Sequence, residues 1–370
     1  MISDPEVIGA LAVLAGLRSM SRRRLAMILS VHDPREALES LRLGRPLSPE
    51  IEPRADVRER LRTQASTVSA TRRAARCAEV GVSVTTPGDG DYPPALLDDP
   101  ERPAVLFLRG DPAVLADRRV GVVGTRNATA AGRATAADLG ARLAEAGVSV
   151  VSGLARGIDT ASHRGVLASG PGRAVAVLGN GPDLAYPRSN RDLLDQLVEQ
   201  HLVLSEWPPG TPPEAFHFPL RNRMIAALSE VLVVVESRAS GGSLITARAA
   251  LDRGVEVMAV PGSPRSPASE GANHLLRDGA APVTSVDDVL EVLSITPPVR
   301  VASARRPPRS CLAIELFEAC RDGPRSLDQL VSGSGAGVAP VASAVAELVR
   351  DGWLVDEAGW LEVAVSGLPP

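Results

Sequence analysis

The 370-residue sequence contains no lysine, so all 40 of its basic side chains are arginines. A P-loop of the type G-x-x-x-x-G-K-[ST] needs its lysine to reach the phosphates of a nucleoside triphosphate. The absence of lysine therefore excludes the commonest kind of ATPase site. Any surface of this chain that binds an anion must be built from arginine, whose planar fork suits phosphate.

Cysteine is also scarce. Cys77, Cys311 and Cys320 are odd in number, widely separated and without a C-x-x-C pair, so neither a disulfide framework nor a zinc site is indicated. No cluster of histidine, cysteine or acidic residues has the spacing of metal ligands, and His163 is interpreted as a hydrogen-bonded residue at a helix start. We expect no metal and a reducing compartment.

No apolar run is long enough to cross a membrane. The stretch VIGALAVLAGL from Val7 is too short for a span and follows Asp4 and Glu6 rather than a basic leader. We interpret it as a core helix and expect a cytoplasmic protein without a membrane partner. The net charge of −4 argues against a polybasic protein that coats nucleic acid, although a local basic groove is compatible with it.

Hydrophobic periodicity divides the chain into parts. Residues 1–75 read as a small helical domain. Residues 80–293 repeat buried strand, turn and helix, which predicts an α/β fold with a doubly wound, Rossmann-like parallel sheet, preceded by a proline-rich extension at 80–118. A linker is predicted at 294–311, and the order of elements over 312–370 is typical of a winged helix.

Ligands of open α/β sheets bind beyond the carboxyl ends of the strands. The strand VGVVG ends in Gly124, Thr125 and Arg126 without G-x-G-x-x-G spacing, and the next strand ends at Ser152 instead of a ribose-binding acid, so NAD is disfavoured. An arginine that faces the free N–H groups of a helix start favours phosphate. The alternative is an ion pair between Arg126 and Asp159.

Two other stretches indicate anion binding, and each has a purely structural alternative. The loop SGGS at 240–243 offers backbone N–H groups and hydroxyls to an anion, or only an N-cap through Ser243. The triplet RNR at 221–223 suits two phosphates and a base or sugar edge, or forms a salt-bridged helix start. Aromatic residues make up only 2% of the chain, so Phe216 and Phe218 beside this triplet are candidates for base stacking, or else core residues.

Several long motifs resemble, in order and spacing, those of the DNA-processing protein A (DprA/Smf) family over about residues 90–290. They are VGTR, SGLARGIDTASH, VLGNGPDLAYPRSN, SEWPPGTPPEAFHFPLRNRMIAALS, SGGSLITARAAL and VPGSPRSPASEGANHLLRDGA. The resemblance implies a single-stranded DNA-binding recombination mediator, not an enzyme and without a cofactor. It also implies a homodimer that protects incoming DNA during natural transformation and helps load RecA.

The resemblance assigns phosphate contacts to Arg126 and Arg188 and places further residues in the same pocket. Together with the residues argued above, the predicted DNA or phosphate contacts are Gly124, Thr125, Arg126, Ser152, Gly153, Arg156, Asn180, Arg188, Arg221, Asn222, Arg223, Ser240, Gly241, Gly242 and Ser243. The loop GNGPDL departs from the usual family pattern. Where other members use lysine, this chain has arginine or no basic residue.

A different class of function competes with this interpretation. LOG-like nucleotide phosphoribohydrolases use related sheets and a P-G-G-x-G-T-x-x-E motif, in which the loop binds phosphate and the glutamate acts on the ribose. This chain has SGGSLITA instead, with no glutamate at that spacing. Glu206 and Glu236 follow strands, however, so the sequence leaves the hydrolase open.

Overall fold

The computed structural model describes residues 2–47, 54–296, 310–357 and 359–363. The chain divides into two compact units, Met1–Pro298 and Val299–Pro370. Residues 297–309, which make up most of the predicted linker, lie outside the described residues. Among the described helices, none combines the length and the apolar character that crossing a membrane requires.

The first unit contains thirteen α-helices, two short 3-10 helices (Pro112–Ala116 and Arg188–Asn190) and nine strands in its described part. The helices are α1 (Pro5–Gly16), α2 (Arg22–Val31), α3 (Pro34–Arg42), α4 (Ala55–Thr67), α5 (Ala70–Glu79), α6 (Pro94–Leu97), α7 (Ala130–Glu145), α8 (Ile158–Leu167), α9 (Arg191–Gln200), α10 (His217–Leu228), α11 (Gly242–Leu251), α12 (Glu270–Arg277) and α13 (Val286–Val292). The strands are β1 (Val82–Thr85), β2 (Leu106–Gly110), β3 (Arg119–Val123), β4 (Ser149–Ser152), β5 (Ala174–Leu178), β6 (Leu202–Ser205), β7 (Val231–Val234), β8 (Glu256–Ala259) and β9 (Ala281–Pro282).

These strands form one sheet in the order β1-β2-β6-β5-β4-β3-β7-β8-β9. The seven strands from β3 to β9 are parallel, while β2 pairs antiparallel with both β1 and β6. The predicted doubly wound α/β fold is therefore confirmed. The strand order reverses between β3 and β7, so the ends of these two strands flank the crevice where such sheets bind ligands.

Alternate residues of the central strands enter the cores on opposite faces of the sheet. Val122 and Val150 belong to one cluster of buried residues, whereas Val123 and Val151 belong to the other. Every residue of β4 and β5 is buried. Strands covered on both faces need uninterrupted apolar sequence, which is why the sequence pattern located them.

The N-terminal helices pack on the antiparallel edge of the sheet. Leu11, Leu14 and Ile28 share a core with Val84 of β1 and Phe107 of β2. Asp4 caps α1 by accepting a hydrogen bond from the backbone of Glu6. The helical region and the α/β region thus belong to one compact unit.

The second unit is a small three-helix domain with its own core. In chain order it contains α14 (Cys311–Arg321), β10 (Arg325–Ser326), α15 (Leu327–Ser334), α16 (Val338–Arg350), β11 (Leu354–Glu357) and β12 (Trp360–Val363). Its strands form an antiparallel sheet in the order β10-β12-β11, and the Phe317 ring meets Trp353 edge-on at 5.2 Å. This order of elements is that of winged-helix domains.

Helices α7 and α8 cross at close range because each has a glycine at the contact. A Cβ on Gly140 would lie 2.2 Å from the Ser162 carbonyl oxygen, and one on Gly165 would lie 2.0 Å from that of Ala137. Neither distance is compatible with a real side chain, so any larger residue must push the helices apart.

We predict that Gly165→Ala lowers the free energy of unfolding by about 1–3 kcal/mol, because the added methyl group overpacks the α7–α8 contact. Urea denaturation followed by circular dichroism measures the change. Gly88→Ala is the control, since a Cβ at Gly88 meets nothing within 4 Å. Equal stability of the two variants would contradict the prediction.

Candidate functional site

Two adjoining cavities lie at the carboxyl ends of the central strands. Their volumes are about 880 and about 590 Å³. Both are lined by Arg126, Ala155, Tyr186, Pro213, Phe218 and Arg221. Because they share this lining, they form one continuous surface, which we call the arginine groove.

The arginine groove is strongly cationic. The larger cavity is lined by five arginines and by no carboxylate: Arg126, Arg156, Arg188, Arg191 and Arg221. The smaller cavity adds Arg238 and the acid Asp159. Arg191 pairs with Asp195 at 2.8 Å, whereas the exposed side chains of Arg126, Arg156, Arg188 and Arg238 form no ion pair with any described residue. Four cations are therefore available to a ligand.

Arg126 lies above an aromatic shelf on the wall of the groove. Its guanidinium carbon is 5.1 Å from the centre of the Phe218 ring, and the Phe218 ring stacks against Tyr186 at 5.3 Å. The alternative ion pair between Arg126 and Asp159 is not formed. Asp159 is buried, and its Oδ2 accepts hydrogen bonds from the backbone N–H groups of Gly153 and Ala155 at 3.2 and 3.3 Å.

Arg221 forms the floor of the groove. It is only 4% exposed, and its Nη1 donates to the carbonyl oxygen of Gly153 at 2.6 Å and to that of Val177. A Cβ on Gly153 would lie 2.3 Å from this nitrogen, so only glycine leaves room for it. Burial lowers the pKa of Arg221 to about 10, which keeps its guanidinium charged at neutral pH and adds a fixed positive charge beneath the groove.

Three of the predicted contact residues are buried and bonded to other parts of the protein. Ser152 is buried and donates its hydroxyl proton to the Val122 carbonyl oxygen at 2.6 Å, within the sheet. Asn180 is buried and holds its own loop by donating to the carbonyl oxygens of Gly181 and Leu184. Arg223 is buried in an ion pair with Glu206 and lines neither cavity of the groove. All three side chains are therefore engaged within the protein.

The loop at 240–243 lines the smaller cavity, together with Gly124, Thr125 and Asn222. Gly241, not Ser243, is the N-cap of α11. Ser243 is buried and donates to the Ser237 hydroxyl at 2.8 Å. The exposed Ser240 and the glycines at 241 and 242 are thus the parts of this loop that a ligand can reach.

The start of helix α7, where the sequence suggests a phosphate, is occupied by the protein itself. The buried carboxylate of Glu236 accepts hydrogen bonds from the Thr129 backbone N–H at 2.9 Å and from its hydroxyl at 2.6 Å. A Cβ on Gly132 would lie 2.3 Å from this carboxyl carbon. A carboxylate of the protein therefore lies against the first turn of α7, whereas the exposed Arg126 lies outside that turn.

The two candidate stacking residues lie in different cavities. Phe218 lines the arginine groove, whereas Phe216 is 58% exposed and lines a third cavity of about 530 Å³ beside Trp207. Two groove arginines, Arg191 and Arg238, and the aromatic Tyr186 are absent from the predicted set. Arg238 is two residues before Ser240, the first residue of the SGGS loop, and this proximity is the sequence signal for it.

The N-terminal helices brace the loops around the groove. Arg76 pairs with the buried Asp183 at 2.7 Å, and Asp183 also accepts a hydrogen bond from the Gly210 backbone at 2.8 Å. Arg73 donates to the Pro209 carbonyl oxygen at 2.9 Å. Within the part of the chain that the structure describes, no group of three histidine, cysteine or acidic side chains is placed to hold a metal ion.

The fold and the groove together define a doubly wound α/β protein with a cationic binding groove at the point where its strand order reverses. The family model of DNA recombination-mediator protein A matches residues 83–294. The chain belongs to this family, and the resemblance seen in the motifs is confirmed.

Curated relatives agree with this assignment. The DNA processing protein DprA of Bacillus subtilis is 42% identical over 216 residues, which are 58% of this chain and 72% of the relative. Protein Smf of Escherichia coli is 37% identical over 277 residues, or 72% of this chain and 74% of the relative.

Solved structures agree as well. The X-ray structure of DprA from Streptococcus pneumoniae matches 79% of this chain and 98% of its own, with a TM-score of 0.63 and 32% identity. DNA processing protein A from Helicobacter pylori, whose structure concerns its single-stranded DNA binding mode, matches 58% of this chain and 95% of its own. Its TM-score is 0.53 and its identity 26%.

His163 lies in the middle of α8 and not at a helix start. It is fully buried, and neither ring nitrogen has a hydrogen-bond partner among the described residues. Burial lowers the pKa of His163 from 6.5 to about 3, assisted by the charges of His201 and Arg221. The imidazole is therefore neutral in the folded chain, while the unfolded chain binds a proton below about pH 6.5.

We predict that His163→Leu reduces the loss of stability in acid. As the pH falls below 6.5, only the unfolded wild-type chain takes up this proton, at a cost of up to about 1.4 kcal/mol per pH unit. Urea denaturation measures the free energy of unfolding of both proteins at about pH 7 and about pH 5. Relative to wild type, the variant should be about 2 kcal/mol more stable at the lower pH than at the higher one. An identical change in the free energy of unfolding with pH in the two proteins would contradict the prediction.

Proposed function

We propose that this member of the family binds single-stranded DNA in the arginine groove and acts there as a recombination mediator. One observation carries the proposal: the larger cavity combines five arginines, no carboxylate and an exposed aromatic shelf. Arginine forks attract the phosphate backbone, and a phosphate polymer is the ligand that engages several of them together.

The aromatic shelf favours a single strand over a duplex. Tyr186 is 43% exposed and stacks against Phe218 beside Arg126. Unpaired bases stack on aromatic rings in a sequence-tolerant way, whereas the bases of a duplex are already stacked on each other. The single-stranded DNA binding mode of the Helicobacter pylori relative supports the same ligand.

The wider role follows the family. We propose a homodimer that protects single strands and cooperates with RecA, without catalysis, in the cytoplasm. The two glutamates that left a hydrolase open have structural partners: Glu206 is buried against Arg223, and Glu236 holds the start of α7. This arrangement favours a binding protein over a nucleotide phosphoribohydrolase.

We predict that Arg126→Ala weakens binding of a labelled single-stranded oligonucleotide and changes its salt dependence. Each phosphate neutralised contributes about −0.7 to the slope of log K against log salt. The slope of the variant should therefore be less negative by about 0.7. Fluorescence anisotropy across a salt series, with a duplex for comparison, measures this slope. Arg142→Ala is the matched control, because Arg142 is on the last turn of α7 and pairs with Asp138. An unchanged slope in the Arg126 variant would rule out the groove as the DNA site.

We predict a different signature for Phe218→Ala. Loss of the ring should weaken single-strand binding by about 1–3 kcal/mol through lost base stacking, with the wild-type salt slope retained because no charge is removed. The same anisotropy series reports both quantities. A change of slope with unchanged affinity at low salt would contradict stacking on Phe218.

A further inference from the structure

A third cavity continues the surface of the arginine groove. It has a volume of about 530 Å³ and shares Pro212 with the larger cavity of the groove. One wall consists of residues 15–22, from the end of α1 to the start of α2, and the other contains Trp207, Phe216 and His217. We call it the aromatic cavity, and it is the place where the N-terminal helices meet the α/β region beside the groove.

The aromatic cavity presents a ring to solvent. Phe216 is 58% exposed, and its ring meets His217 edge-on at 4.4 Å. His217 in turn packs against Trp207 at 4.3 Å, and its Nδ1 is 2.9 Å from the Gly179 carbonyl oxygen. The three rings therefore form one cluster whose outer member, Phe216, is exposed.

The cavity is also positively charged. Arg18, Arg22 and Arg73 line it together with two acids, Glu206 and Glu214. The Glu206 carboxylate is already neutralised by Arg223, which lies outside this lining. The remaining acid, Glu214, pairs with the highly exposed Arg18 at 2.9 Å. Arg22 pairs with Glu101, also outside the lining, at 3.7 Å. Arg73 is thus the cation of this lining that forms no ion pair with a described carboxylate, and it lines the same cavity as the exposed Phe216 ring.

Resting on the proposed function, we infer that a single strand longer than the arginine groove crosses Pro212 and enters the aromatic cavity. A base stacks there on Phe216, and Arg18 or Arg73 contacts a phosphate. The combination of cationic and aromatic side chains repeats the chemistry of the groove itself. The N-terminal helical region is then part of the DNA interface as well as a brace for its loops.

Oligonucleotide length separates the two sites. With Phe216→Ala, a strand of about 20 nucleotides should bind about 5- to 100-fold more weakly, whereas one of about 5 nucleotides, which fits in the groove alone, should bind as to wild type. Because Phe216 is largely exposed, its truncation leaves the core intact. Arg18→Ala should make the salt slope less negative for the longer strand only. Arg142→Ala should change neither the affinity nor the salt slope for either strand.

Tryptophan fluorescence gives an independent readout. The chain has three tryptophans, and Trp353→Phe with Trp360→Phe leaves Trp207 as the sole reporter in the full chain. The longer oligonucleotide should change the Trp207 emission at saturation, and the shorter one should not.

The outcomes distinguish this inference from the proposed function. If both strands bind in an Arg126-dependent manner but Phe216→Ala has wild-type affinity for each, the inference is overturned while the groove stands. An equal loss of affinity for both oligonucleotides also overturns the inference, because Phe216 would then affect binding in the arginine groove itself. If wild type binds neither strand, the proposed function itself fails.

Discussion

The candidate site depends on a charge buried beneath it. The Arg221 guanidinium donates to the backbone carbonyl oxygens of Gly153 and Val177, and an unpaired buried charge would be too costly to retain. These hydrogen bonds join α10 to the ends of β4 and β5, so they set the spacing of the elements that surround the groove. The same charge lies beneath the groove and contributes to its positive potential.

A second constraint makes this nucleotide-binding type of sheet better suited to a chain of phosphates than to a single nucleotide. In many doubly wound folds the first helix after the switch point receives a phosphate on its N–H groups. Here Glu236 caps that helix with a carboxylate. Negative charge is thus already present at the helix start, and the exposed positive charges of the site are the arginines along the loops. A long, open row of cations suits a chain of phosphates better than a single nucleotide.

The loops that carry these arginines are held from outside the sheet. Asp183 connects Arg76 of α5 to the backbone of Gly210, which joins the helical region to two loops near the groove. A loop fixed at both ends loses less conformational entropy when it binds a ligand. The N-terminal helices therefore influence the site even where they contribute no lining residue.

The sequence determined the sheet and much of the site. Buried parallel strands need continuous apolar runs, and their carboxyl ends must meet at one edge, so Arg126, Arg188 and the SGGS loop were identifiable as neighbours. The sequence could not show which polar side chains face inward, because a serine or an arginine can be buried with protein partners or exposed to a ligand. Only the packing decided that Ser152 and Arg223 are internal, that Glu236 fills the α7 start, and that Phe216 and Phe218, two residues apart, enter different cavities. Such choices depend on the direction of each side chain at contacts between residues far apart in the chain, which spacing alone does not encode.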